Sequence, residues 1–218
     1  MTVASLRYAG FLLVALVPSL FLHEFAHALA ADRLGDPTPR RWGRLGLDPR
    51  PLVDPFGSVI LPGLILVLVA SGNVCLLPIF AYAKPLPVDP YHLRDPRRGP
   101  VLVTLAGLGA NLALAVAFGL ALRGGVGGTV GLLVYAGFLV NLYMFVFQLM
   151  PIPGLDGAKL LARYLPPRAR EVFTSLEQYL VLFILVVFFL LSGPLLGIVR
   201  ALARAVTQLI VGADIGIC

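Results

Sequence analysis

Two histidines stand four residues apart in the run His23-Glu24-Phe25-Ala26-His27. On a helix, residues i and i+4 share one face about one turn apart. Both imidazoles can therefore reach a single zinc ion at about 2.0–2.1 Å. Glu24, beside the first of them, is placed to take a proton from water at such an ion. Two of the chain's three histidines and one of its three glutamates fall within these five residues. A catalytic zinc takes three protein ligands and keeps one position open, so a third ligand must come from elsewhere. Most aspartates lie in polar connections (Asp32, Asp36, Asp48, Asp54, Asp89, Asp95) or in the tail (Asp214). Asp156 differs, because it directly follows an apolar run in Pro151-Ile152-Pro153-Gly154-Leu155-Asp156-Gly157. Prolines end the helical bonding and glycines permit a tight bend, which can aim this carboxylate at a neighbouring helix.

The elements that must carry these groups are apolar. Residues 4–31 read as a first span, stopped by Gly35, Pro37 and Pro39, with an arginine-rich segment at 32–55. Residues 56–80 are apolar but interrupted by Pro62-Gly63 and Ser71-Gly72-Asn73, and Asp54 reads as the cap that opens them. A proline-punctuated stretch, 81–100, leads to spans at 101–122 and 129–150, then to a mixed basic segment at 157–177 and an apolar one at 178–193. In 195–211, Arg200, Arg204 and Gln208 recur every four residues opposite Leu196, Val199, Leu202, Val206 and Leu209. That pattern predicts a helix lying in the membrane interface.

Composition agrees. Among 218 residues, 59% are hydrophobic and only 13% charged, with a formal net charge of +6. Mean hydropathy is +0.92. A soluble globule needs more charge to coat its surface, and a disordered chain carries fewer aliphatics, so both classes are excluded. The expected fold is an all-α polytopic membrane protein. It comprises about four transmembrane helices, a re-entrant or non-crossing apolar segment, a short membrane-dipping extended loop and a C-terminal interfacial helix. One membrane-embedded domain is expected over 1–218, with a core at 4–177 and C-terminal helices at 178–212. The dispersed basic excess suits cytoplasm-facing loops and anionic headgroups rather than nucleic acid. Cys75 and Cys218 provide no disulfide framework or thiolate site. His92, in a polar proline-rich connection, matches no ligand spacing.

The chain resembles the site-2 protease family of intramembrane zinc metalloproteases, in its short bacterial form without a sensor domain. The likeness rests on His23-Glu24-Phe25-Ala26-His27, on Leu155-Asp156-Gly157, on Gly107-Leu108-Gly109-Ala110-Asn111 and on Ala83-Lys84-Pro85-Leu86-Pro87-Val88. It covers about residues 20–165. Leu108 replaces a proline common in the family, and Gln148 stands where an asparagine is common. The resemblance implies one catalytic Zn2+ held by His23, His27 and Asp156, with Glu24 as the catalytic base. It implies a transmembrane protein as substrate, and a role for Asn111 in holding that substrate or a developing oxyanion. The segment Lys84, Pro85, Leu86, Pro87 and Val88 would pair with an unwound substrate by strand addition, as a membrane-dipping edge.

Topology supplies a test. If 56–80 crosses the membrane, the His pair and Asp156 face opposite sides and cannot share a metal. If it turns back, thirteen Lys and Arg fall on the side of the motif and four (Arg7, Arg123, Arg200, Arg204) on the other. That asymmetry predicts a zinc site toward the cytoplasm of the cell membrane and an outside N-terminus. The rival reading is a membrane metal-binding or metal-transport protein using the same ligands without hydrolysis. Transporters usually show repeated halves with paired broken helices, and no internal repeat is visible. The sequence leaves oligomeric state open.

Overall fold

The computed structural model describes residues 3–46, 48, 50–70, 81–84, 86, 88–182 and 192–212. Three helices are long and apolar enough to cross a membrane. They are α1 (Val3–Arg33), α4 (Gly99–Arg123) and α5 (Gly128–Gln148). Between α1 and α4 lie α2 (Thr38–Arg41), a π-helical turn over Pro55–Ile60 and α3 (Leu61–Ala70). After α5 come α6 (Asp156–Ala162), α7 (Pro167–Ser175) with a 3-10 turn over Leu176–Tyr179, and α8 (Ser192–Val211). The described residues contain no strand. The expected fourth span, 178–193, falls largely outside them.

Local chemistry sets the ends. α1 stops where Asp36 N–H donates to Ala31 O (3.0 Å), six-to-one closure across Gly35 at φ +110°; only glycine adopts that angle without strain. Asp95 Oδ1 accepts from the N–H groups of Arg97 and Arg98, at 2.8 and 3.0 Å, and so shapes the turn that leads into α4. Asp54 opens the π-helical turn as expected, its Oδ1 accepting from Phe56 N–H at 3.0 Å and Gly57 N–H at 2.7 Å.

α1 and α5 run in one direction and α4 in the other. At one end Arg7 donates to Thr129 Oγ1 (2.8 Å), joining the starts of α1 and α5. At the other end the last third of α1 meets the start of α4 and the chain just beyond α5. In the apolar interior, Asn141 Nδ2 donates to Ser19 Oγ (2.9 Å), fixing the relative height of α5 and α1. The segment after residue 56 returns to where it began. Tyr82 N–H donates to Gly57 O (3.2 Å), Ser58 Oγ to Tyr82 O (2.9 Å), and Lys84 N–H to Leu52 O (2.9 Å). Its two ends therefore lie on one side of the bundle, as the non-crossing reading requires. Residues 71–80, between these ends, lie outside the described residues.

α8 is helical, as expected. The face it buries against the bundle is Val199, Ala203, Thr207, Ile210 and Val211, while Leu202 and Leu209 point outward. A Cβ on Gly119 would sit 2.4 Å from Ile210, so α8 lies close on α4. Leu202 and Leu209 can stay outside because lipid accepts leucine as readily as protein does.

Candidate metal centre

His23 and His27 lie in the last third of α1, about 15 and 9 Å along the axis from its end at Arg33, at 1.5 Å per residue. Asp156 reaches them because the chain folds back sharply after α5. Pro151 and Pro153 end the helix, Gly154 takes φ +95°, and Asp156 becomes the first residue of α6. Gly157 is required for this closeness: a Cβ there would lie 2.0 Å from Leu149 O. All three side chains are buried, with relative exposures of 1%, 5% and 2%.

Their ligand atoms converge. His23 Nε2 and His27 Nε2 are 3.1 Å apart, and Asp156 Oδ2 is 3.4 Å from the first and 3.0 Å from the second. A tetrahedral ion with bonds of about 2.0–2.1 Å has ligand-to-ligand edges of about 3.3–3.4 Å. His27 Nδ1–H donates to Val103 O at 2.8 Å, so in the neutral ring Nε2 presents its lone pair. Asp156 Oδ2 has no hydrogen-bond partner, while Oδ1 accepts from Lys159 Nζ at 3.0 Å. Lone pairs gathered this closely away from water repel one another unless a cation lies among them. The donor set, two imidazoles and a carboxylate, suits zinc.

One face of α4 backs the pair. Val103, Gly107 and Asn111 recur every four residues: Val103 O holds His27, and Asn111 Nδ2 lies 3.1 Å from His23 Nδ1. At Gly107 a Cβ would lie 2.2 Å from His27 Nε2, so only a glycine lets the two helices approach here. Sequence reading gave Asn111 a role, quoted Gly107 in the same motif without one, and passed over Val103, although the four-residue spacing was visible. It also passed over Lys159, one turn beyond Asp156, and Arg44.

The three ligand residues and Glu24 line a cavity of about 840 Å3. Ala83, Leu86 and Val88 form part of one wall, and Lys159 and Glu177 lie on the lining as well. The loop carrying that wall is fastened at both ends. Arg44, itself buried, donates to Lys84 O (3.0 Å), and Asp36 Oδ2 accepts from Asp89 N–H (2.8 Å). Described parts of Lys84–Val88 have no regular secondary structure; Pro85 and Pro87 lie outside the described residues. Asn111 is fully buried behind His23 and does not line the cavity. His92 is far from the ligands in role as well as sequence, with Nδ1 3.0 Å from Asp89 Oδ2.

The chain is 34% identical over 188 residues to "Putative zinc metalloprotease YwhC" of Bacillus subtilis, covering 82% of this chain and 80% of that one. It is 35% identical over 207 residues to "Putative zinc metalloprotease Rip2" of Mycobacterium tuberculosis, covering 91% and 76%. With Rip2 of Mycolicibacterium smegmatis the figures are 30% over 188 residues, 82% and 67%. No family model matches the chain, and no solved structure does. Likeness at this level over most of both chains, together with a buried His-His-Asp cluster beside Glu24, places the chain in the site-2 protease family of zinc metalloproteases.

Proposed function

We propose that this protein is a zinc-dependent endopeptidase that cuts transmembrane protein substrates within or near the bilayer. The observation that carries the reading is the triangle of His23 Nε2, His27 Nε2 and Asp156 Oδ2, buried at membrane depth on a cavity shared with Glu24. When bound there, zinc supplies Lewis acidity, polarising a carbonyl and acidifying water. Glu24 takes a proton from the water that attacks the scissile carbonyl. As the carbon–nitrogen bond breaks, Glu24 returns that proton to the leaving amine. Lys159 holds Asp156 Oδ1 and so turns Oδ2 toward the imidazoles. Burial keeps bulk water from the reacting groups.

A substrate helix hides its carbonyls in its own hydrogen bonds and must unwind to be cut. The segment Lys84–Val88 is our choice for receiving the unwound strand, supported by Leu86 and Val88 on the cavity wall and by the fastening of the loop through Arg44 and Asp36. The active site faces the cytoplasm in this reading. Support comes from the returning segment 57–82, which gathers thirteen Lys and Arg on the side of the metal centre.

Replacement of Glu24 by glutamine is the decisive experiment. It leaves every metal ligand in place and removes the base. Zinc content of the purified variant should equal that of wild type, while cleavage of a co-expressed membrane substrate falls by about 10²–10⁴. Unchanged cleavage would sink the peptidase reading and leave the metal-binding or metal-transport alternative.

A further inference from the structure

Asn111 sits where a substrate cannot touch it. Its side chain is fully buried, outside the cavity lining, and faces the far nitrogen of His23. His23 Nε2 is the atom that joins the ligand triangle. In a neutral imidazole the other nitrogen, Nδ1, then carries the proton and needs an acceptor. The atom placed 3.1 Å from Nδ1 is nevertheless the Asn111 amide nitrogen, also a donor. Meanwhile Asn111 Oδ1 is buried with no hydrogen-bond partner. The nitrogen and oxygen of such an amide differ only by a half-turn about χ2, and the hydrogen-bond network decides between them. Turning the amide removes the donor–donor contact and gives the orphaned oxygen a partner.

We infer that Asn111 is a positioning residue for the metal centre: its Oδ1 accepts the Nδ1 proton of His23 and thereby fixes the tautomer that presents Nε2 to zinc. His27 has the equivalent support from Val103 O. The two ligands are thus held from one face of α4, one by a backbone carbonyl and one by a side chain. Only the side-chain arm can be altered by substitution. The inference rests on the metal centre proposed above.

The test measures zinc affinity of the full-length protein in detergent, by competition with a chromophoric chelator, alongside substrate cleavage. Asn111→Leu removes the acceptor and should weaken zinc binding by about 10–100-fold. Asn111→Asp offers only acceptors, so it should hold zinc within about threefold of wild type and retain cleavage. A group that donates to substrate or to an oxyanion gives the reverse pattern. Both variants would then bind zinc like wild type, and both would lose kcat; that result overturns the inference. Loss of zinc in Asn111→Asp equal to that in Asn111→Leu also overturns it. A second measurement needs no variant. Nitrogen-15 spectra of histidine-labelled, zinc-loaded wild type should show His23 protonated at Nδ1, and a proton at Nε2 instead refutes the role. Wild type that binds no zinc at all rejects the metal centre itself, which separates the two failures.

Discussion

At the scale of single residues, the metal centre depends as much on what is missing as on what is present. Gly107 has no side chain where a Cβ would stand 2.2 Å from His27 Nε2 and 2.3 Å from Cε1. The ring cannot yield without losing either Val103 O or its place beside Asp156. Gly107→Ala should therefore lower zinc affinity at least about tenfold, the cost seen when outer support of a ligand is lost. Helix content by circular dichroism should stay unchanged, because alanine favours a helix. Full zinc affinity in this variant would show that the close passage of α1 and α4 is dispensable. Lys159 acts from the other direction. It is partly exposed and holds the one Asp156 oxygen that the imidazoles do not face.

At the scale of elements, the loop between α3 and α4 is held in place chiefly by hydrogen bonds to backbone groups. Asp36 links it to the end of α1, accepting from Thr38 N–H (2.9 Å) and Asp89 N–H (2.8 Å), and Arg94 N–H donates to Leu34 O (2.9 Å). Burial opposes ionisation of the Asp36 carboxyl, yet the Thr38 hydroxyl together with these N–H groups holds it below the usual carboxylate range. A carboxylate depressed in the folded state contributes stability above its unfolded pKa and loses it as pH falls through the folded value. Asp36→Asn turns one acceptor into a donor that faces an N–H, at a cost of about 1–3 kcal/mol. Proteolytic cutting within 88–95 should rise in this variant at neutral pH. Wild type should approach the same rate only in acid, below the ordinary range for an aspartate. Equal cutting of the two at pH 7 would mean that other contacts fix the loop.

At the scale of the whole molecule, the three helices among the described residues that are long and apolar enough to cross a membrane, with one returning segment, decide which loops share a side. The hydrogen bonds between Tyr82 and Gly57, and between Lys84 and Leu52, bring both ends of the α3 segment to the face of the metal centre. Single cysteines placed at Gly46 and Asp89, with Cys75 and Cys218 replaced by serine, should react with a membrane-impermeant reagent from the same side. A cysteine at Gly125, between α4 and α5, should react from the opposite side. Reaction of the first two from different sides would make it impossible for the His pair and Asp156 to meet as described. The same topology places the zinc-binding groups about 9–15 Å inside the end of α1. On the function proposed above, a substrate helix must bring its scissile bond into the bundle.

Membrane residence, the helical class and the candidate ligands were legible in the sequence because each follows from short-range chemistry. Apolar runs near twenty residues have few alternatives, and His23, Glu24 and His27 share a helix whose pitch sets their spacing. The Pro-Gly bend before Asp156 was legible for the same reason. Asp54 as a cap was too, since it acts two and three residues away. What could not be read lies between elements. Nothing local to Gly107 or Val103 marks them as the wall behind His27; that role exists only because α4 runs antiparallel against α1. The orientation of Asn111 toward the far nitrogen of His23 has the same origin. Which face of α8 packs on α4 and α5 was likewise decided only where the helices meet. Bringing a carboxylate 129 positions beyond His27 into its coordination distance took the return of the α3 segment; the distribution of Lys and Arg along the whole chain anticipated that return, but the contacts that close it, Tyr82 to Gly57 and Lys84 to Leu52, lie in no local window of sequence.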